Sequence, residues 1–321
     1  MVAKMLVPLD GSPLAEAAVP WAAYLAQTRG YVPVLAQMIP WPTMVSDGLM
    51  VGYTPPEVYE EIMEAEQEGA AEYLATISER LAAQGVQTET VIRQGTPTTG
   101  LLDLADELGV TAIVMATHGR SGVPRVFLGS IANSIVHSAT VPVLLVRAGA
   151  ATSDRPPGAD RLLVPLDGSA LAERALEAAT ALGHEGSSVA LVRVVEPLAA
   201  PNDGEQATAP AHDLHGEAAA YLKTIAARLE AQGIQTGTEV MRGAPAEQVI
   251  AVARAHDADL IVMSTHGRSG PARWFLGSVA DEVVRHADRP VLLVSARTRG
   301  ATRPAAAAET PAGELAESHA G

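Results

Sequence analysis

Short apolar runs alternate along this chain with longer stretches in which apolar residues recur every three or four positions. Met5 to Leu9 is an apolar run followed by Asp10-Gly11-Ser12-Pro13. That turn predicts a helix with Ser12 as N-cap and Pro13 in the first helical position. The helix should run to about Thr28, with Ala18, Trp21, Ala22 and Leu25 on one face and Gly30 closing it. Val32 to Ile39 predicts a second strand. A loop from Pro40 to Pro56 follows, with an apolar patch of Trp41, Met44, Leu49 and Met50. A long helix is expected from about Glu57 to Ala83, stopped at Gly85, and then a strand from Val86 to Arg93. Gly95-Thr96-Pro97 opens a helix that ends near Leu108-Gly109. After it come the apolar run Thr111 to Met115, a Gly-rich loop, a helix Ser130 to Ser138 and a strand Pro142 to Arg147. Strand–helix alternation of this kind calls for a mostly parallel sheet with helices on both faces. Right-handed crossovers then bring the first and fourth strands side by side, where strand order reverses.

The whole pattern occurs twice. MLVPLDGS at Met5 to Ser12 returns as LLVPLDGS at Leu162 to Ser169, and YLATISERLAAQGVQTET at Tyr73 to Thr90 returns as YLKTIAARLEAQGIQTGT at Tyr221 to Thr238. MATHGRSGVPRVFLGS at Met115 to Ser130 returns as MSTHGRSGPARWFLGS at Met263 to Ser278. A period this long is a duplicated domain, too long for a solenoid repeat. The domains are expected over residues 1–148 and 160–297, joined by a linker at 149–159 that contains Pro156-Pro157-Gly158. Residues 298–321, rich in Ala, Pro, Gly and Glu, read as a disordered tail.

Composition narrows the partners. The 321 residues carry a formal net charge of −15, which opposes binding to nucleic acid or to an anionic membrane surface. Aromatics are only 3%, so the cores must be built from Val, Leu, Ile and Ala. Without cysteine there is no disulfide framework, thiolate nucleophile or Cys-ligated metal. No apolar run approaches the ~18 residues of a membrane helix, and MVAKMLVPLDGS lacks a signal-peptide pattern, so a soluble cytoplasmic protein is expected.

Candidate chemistry gathers at the Gly-rich loop. Two residues separate Ala116 from Gly119, and nine separate Gly119 from Gly129-Ser130; Ser264, Gly267 and Gly277-Ser278 repeat that spacing. Small residues let backbone amides approach an anion, and a helix start adds free N–H groups with a positive dipole end. The competing reading is a tight structural turn that the two copies share. Asp10 and Asp167 follow the first strand of each half, where they can contact a ligand or simply cap a turn. His118 and His266 lack an orienting partner or an activated nucleophile in the sequence, so no catalytic residue is assigned. Arg120 and Arg268 can pair with phosphate oxygens. P-loop, G-x-G-x-x-G and G-x-S-x-G motifs are missing, and the His spacing indicates no zinc site.

VPLDGS in each half, THGRSG, the G-x2-G-x9-G-[ST] spacing and the PVLLV behind it resemble the universal stress protein family in a tandem two-domain form. The resemblance covers nearly all of Met1 to Ser295. It departs at the motif's first glycine, which is Ala116 in one half and Ser264 in the other; both are small enough to fit where φ is negative. It implies two Rossmann-like (adenine nucleotide alpha hydrolase-like) α/β domains, each a five-stranded parallel sheet of order 3-2-1-4-5, paired through their last strands.

The resemblance also implies one ATP site per half, with Mg2+. Pro8, Leu9 and Asp10 would lie around adenine and ribose and Met38 would pack on the base. Met115, Ala116, His118, Gly119 and Arg120 would line ribose and phosphates, with Gly129, Ser130, Ile131 and Ala132 at the phosphate tail. The second set is Pro165, Leu166, Asp167, Val194, Met263, Ser264, His266, Gly267, Arg268, Gly277, Ser278, Val279 and Ala280. The reading that follows is a stress-response protein acting as a nucleotide-dependent regulator. A slow ATP hydrolase or phosphotransfer enzyme, and a protein-interaction scaffold without nucleotide, stay open as alternatives. So do homo-oligomer formation and the identity of a protein partner.

Overall fold

The computed structural model describes residues 2–41, 56–117, 128–147, 157–183, 186–196, 213–266 and 276–299. The first half runs β1 (Lys4–Leu9), α1 (Val19–Arg29), β2 (Val32–Ile39), α2 (Pro56–Ala82), β3 (Glu89–Gln94), α3 (Pro97–Glu107), β4 (Ala112–Ala116), α4 (Ser130–Ser138) and β5 (Val143–Val146). The second repeats it as β6 (Arg161–Pro165), α5 (Ala170–Leu182), β7 (Ser188–Val195), α6 (Leu214–Glu230), β8 (Gln235–Arg242), α7 (Pro245–Ala255), β9 (Leu260–Ser264), α8 (Ser278–His286) and β10 (Val291–Val294). The strands form a single ten-stranded sheet of order β3-β2-β1-β4-β5-β10-β9-β6-β7-β8. Each half is parallel in the expected order 3-2-1-4-5. At the centre β5 and β10 pair antiparallel, Leu144 opposite Leu292.

Two apolar layers cover the sheet. On one face α1, α2, α5 and α6 contribute Trp21, Leu25, Leu74, Ile77, Leu176 and Leu222. On the other, α3, α4, α7 and α8 contribute Leu101, Leu104, Ile135, Val249 and Val283. Each layer runs through both halves without a break, so the two domains share their hydrophobic interior.

Three local differences from the sequence expectation have physical causes. Ser12 does cap the chain, its Oγ accepting from the Ala15 N–H at 3.2 Å. The regular helix begins only at Val19, after a 3-10 stretch over Ala15–Ala18. Pro20 has no N–H for the Glu16 carbonyl, which bonds Val19 in the tighter i−3 pattern instead. Glu177 takes the place of Pro20 in the second half, and α5 starts directly after Ser169, whose Oγ accepts from the Ala172 N–H at 3.1 Å.

The third strand starts at Glu89, not Val86. Gly85 turns left-handed at φ 77°, and the Val86 N–H returns to the Leu81 carbonyl at 3.0 Å, closing α2 with Val86 buried against it. Thr298 and Arg299, placed in the tail by composition, are built into the fold. Thr298 is buried and its Oγ1 accepts from the Ser295 N–H, while the Arg299 N–H reaches the Thr140 carbonyl at 2.7 Å. Trp41 is exposed, and Met44, Leu49 and Met50 lie outside the described residues.

Candidate functional site

The carboxyl ends of the parallel strands converge where strand order reverses, between β1 and β4 in one half and between β6 and β9 in the other. The first piece of each site is the Asp-Gly-Ser turn. Asp10 Oδ1 accepts from the Ser12 N–H at 3.0 Å and from the Ser12 hydroxyl at 2.6 Å; Asp167 Oδ1 accepts from the Ser169 N–H at 2.9 Å. Both aspartates therefore hold their own turn, as the structural reading requires. The intervening glycines sit at φ 80° (Gly11) and 86° (Gly168), a conformation a side chain would strain. Pro8 and Pro165 are half-buried in β1 and β6, with Leu9 and Leu166 buried after them.

The second piece is the strand end. Met115 and Ala116 close β4, and Met263 and Ser264 close β9, all buried. Among the described non-glycine residues only Asp257 has positive φ, so neither Ala116 nor Ser264 strains the backbone where the family motif has glycine. Ser264 uses its hydroxyl to donate to the His266 carbonyl at 2.8 Å.

The third piece is the helix start. The Gly129 N–H bonds the Thr117 carbonyl at 2.9 Å and the Gly277 N–H bonds the Thr265 carbonyl at 2.8 Å, so each helix opens directly against the end of its strand. A Cβ on Gly277 would stand 2.9 Å from the Thr265 carbonyl oxygen and 3.3 Å from His266 Cα. Its φ of −56° suits any residue, so closeness of approach is what demands glycine there. No side chain caps α4 or α8, which leaves first-turn N–H groups at Ser130, Ile131 and Ala132 and at Ser278, Val279 and Ala280 for a ligand. Ser130, Ser278 and Ile131 are exposed.

In the second half these pieces enclose a cavity of about 660 Å³. It brings together every described second-half candidate: Pro165, Leu166, Asp167, Val194, Met263, Ser264, His266, Gly277, Ser278, Val279 and Ala280. His266 is half-buried, its Nδ1 3.0 Å from the Thr265 hydroxyl. His118, Gly119, Arg120, Gly267 and Arg268 lie outside the described residues. In the first half Met38 leans from β2 onto α3, where Gly100 makes room; a Cβ there would overlap the Met38 methyl. The shorter Val194 faces a helix that has Gln248 in the place of Gly100.

Sequence reasoning missed Thr265, Leu276, Glu196, Glu217 and Arg193, all of which line the cavity. Arg193 carried a signal, as a charged residue within the apolar run Val189 to Val195. Its guanidinium lies 5.0 Å from the centre of the Tyr221 ring. The Tyr221 hydroxyl donates to Glu173 at 3.1 Å, and burial, followed by the Glu173 charge, pushes its pKa up to about 12, so it remains a neutral donor. Among the described residues no three His, Asp or Glu side chains gather as a metal-ligand set. Nor is any described helix long and apolar enough to cross a membrane.

The family model described as "Universal stress protein family" matches residues 1–147 and again 158–295. The chain belongs to the universal stress protein family. Members of this family are stress-response proteins, and here two such units stand in tandem. The chain is 26% identical over 300 residues to universal stress protein Rv2005c of Mycobacterium tuberculosis, covering 90% of this chain and 96% of the relative. It is 32% identical over 149 residues to universal stress protein YxiE of Bacillus subtilis, covering 46% of this chain and 100% of that shorter protein. A crystal structure of a universal stress protein from Archaeoglobus fulgidus shares the fold with a TM-score of 0.70 at 22% identity, covering 92% of this chain and 99% of that one.

Proposed function

We propose that this protein binds ATP in each of its two halves and acts in the cytoplasm as a nucleotide-dependent stress regulator. The observation that carries the reading is the second-half cavity, whose volume of about 660 Å³ falls within the range of small-molecule sites. Its parts suit a nucleotide in order. Val194 and Met263 offer apolar surface to a base, and the Asp167 turn lies beside β7 for a sugar. The uncapped start of α8, with Gly277 pressed against Thr265, offers backbone N–H groups to phosphate. Magnesium bound with the triphosphate would offset phosphate charge in a chain of net charge −15. Proposed domain limits are 1–148 and 160–297, with 149–159 as the linker; Thr298 and Arg299 extend the second domain's contacts.

The test is to denature freshly purified protein and identify and count released nucleotide by chromatography, followed by calorimetry with Mg-ATP. Close to two ATP per chain supports both sites and slow turnover. No released nucleotide together with no binding of added Mg-ATP overturns the proposal in favour of a protein scaffold.

A further inference from the structure

Among the positions at which the two halves differ around the site, one exchanges an amide for a cation. Arg193 in β7 and Gln37 in β2 hold matching places, each the sixth residue of a strand that pairs with the one leading into the Asp-Gly-Ser turn. Arg193 lines the second-half cavity. Its guanidinium nitrogens lie 3.5 and 3.6 Å from where a Cβ on Gly168 would stand, so the cation rests against the outside of the Asp167-Gly168 turn. Tyr221 supports it from behind with its ring face, and among the described residues Arg193 forms no ion pair. The nearer carboxylate, Asp167, spends Oδ1 on the Ser169 N–H, while Glu196 and Glu217 stand at the exposed rim. Gln37 is 9% exposed, and its Oε1 is buried without a hydrogen-bond partner. The first half therefore has a buried neutral amide where the second has a supported cation at its cavity. A guanidinium calls for an anion.

Resting on the reading above that the Asp-Gly-Ser turn faces the sugar, we propose that Arg193 tunes the second site for nucleotides with a phosphate on the ribose 2′ or 3′ oxygen. The first site, with neutral Gln37 at the matching place, lacks that cation. The two sites are thus built for different adenine nucleotides. Arg193 reads the anionic sugar edge through its guanidinium N–H groups.

The experiment is calorimetric titration of the full chain with AMP, adenosine 2′,5′-bisphosphate and adenosine 3′,5′-bisphosphate. Wild type is compared with Arg193→Gln, which installs the side chain that the first half already tolerates, and with Arg193→Lys. In wild type, one site should bind at least one bisphosphate about tenfold more tightly than AMP, the scale of a charge-assisted hydrogen bond. Arg193→Gln should erase that preference, and Arg193→Lys should keep part of it. A role confined to packing on Tyr221 would move all three ligands together. Equal affinities in wild type, or a preference that survives Arg193→Gln, overturn the assignment while leaving ATP binding intact. If neither AMP nor ATP binds, the nucleotide reading fails and this inference falls with it.

Discussion

The rings of His137 and His266 face each other with centroids 6.3 Å apart and planes tilted by 54°. His137 belongs to the last turn of α4, and His266 lines the second-half cavity. A nine-residue helix, about 13 Å long, thus begins at one candidate site with Ser130 and ends against the other. The C-terminal ends of α4 and α8 are each held by the other half: Ser295 Oγ donates to the Ala139 carbonyl at 3.3 Å, and the Arg147 guanidinium donates to the Ala287 carbonyl at 3.3 Å.

The histidine contact predicts a pH dependence. Burial, and then the charge of His266, hold the His137 pKa below its ordinary 6.5. Between that lowered value and about 6.5 the unfolded chain binds more protons than the native one, so stability rises with pH across the window and levels off above it. Urea midpoints measured from pH 5 to 8 should show this slope in wild type and a flatter one in His137→Gln. An unchanged slope would remove His137 as its source.

Gly277→Ala should damage the second site through backbone contact. The new methyl would meet the Thr265 carbonyl oxygen at 2.9 Å and His266 Cα at 3.3 Å, backbone atoms that no side-chain rotation can move aside. We expect a loss of about 1–3 kcal/mol in denaturant unfolding and weakened nucleotide binding in the second half. Wild-type values for both would show that the helix start can move without cost.

Asp259 anchors the entry to the second domain. Buried at 7% exposure, its carboxylate accepts from the N–H groups of Asp160 at 3.1 Å and Arg161 at 2.9 Å and from the Arg161 guanidinium. Asp259→Ala should leave those donors unmet and cost about 1–3 kcal/mol in chemical denaturation. Arg161→Ala, at a partly exposed ion pair, should cost less.

Separating the halves should expose the central strands. Val143, Leu144 and Leu145 of β5 pair with Leu293, Leu292 and Val291 of β10, all buried. Co-expressed as residues 1–150 and 151–321, the halves should co-purify one to one, because each edge needs a cover. Each alone should self-associate or aggregate. Two monomeric, soluble halves by light scattering would count against the shared interior.

Much of this protein is legible in its chain. Short apolar runs and period-three-to-four hydrophobicity, punctuated by Gly30, Gly85 and Pro97, are local information, and the exact return of LVPLDGS and THGRSG showed that a domain is duplicated. The Gly-Ser pair before α4 and α8 was visible for the same reason, since a helix start is read from neighbouring residues. Other features depend on contacts between distant residues. The start of α1 is an exception, moved locally by the missing N–H at Pro20 acting on Glu16 four residues back. That Gly277 is needed for closeness rather than for its φ follows only from where Thr265 lies. Arg193 joined the site because parallel pairing sets β7 beside β6, which brings the carboxyl end of β7 to the same cavity. His137 reached His266 because β5 pairs with β10. Local patterning determined the elements and their repetition; the register between strands far apart in sequence decided which side chains share a cavity.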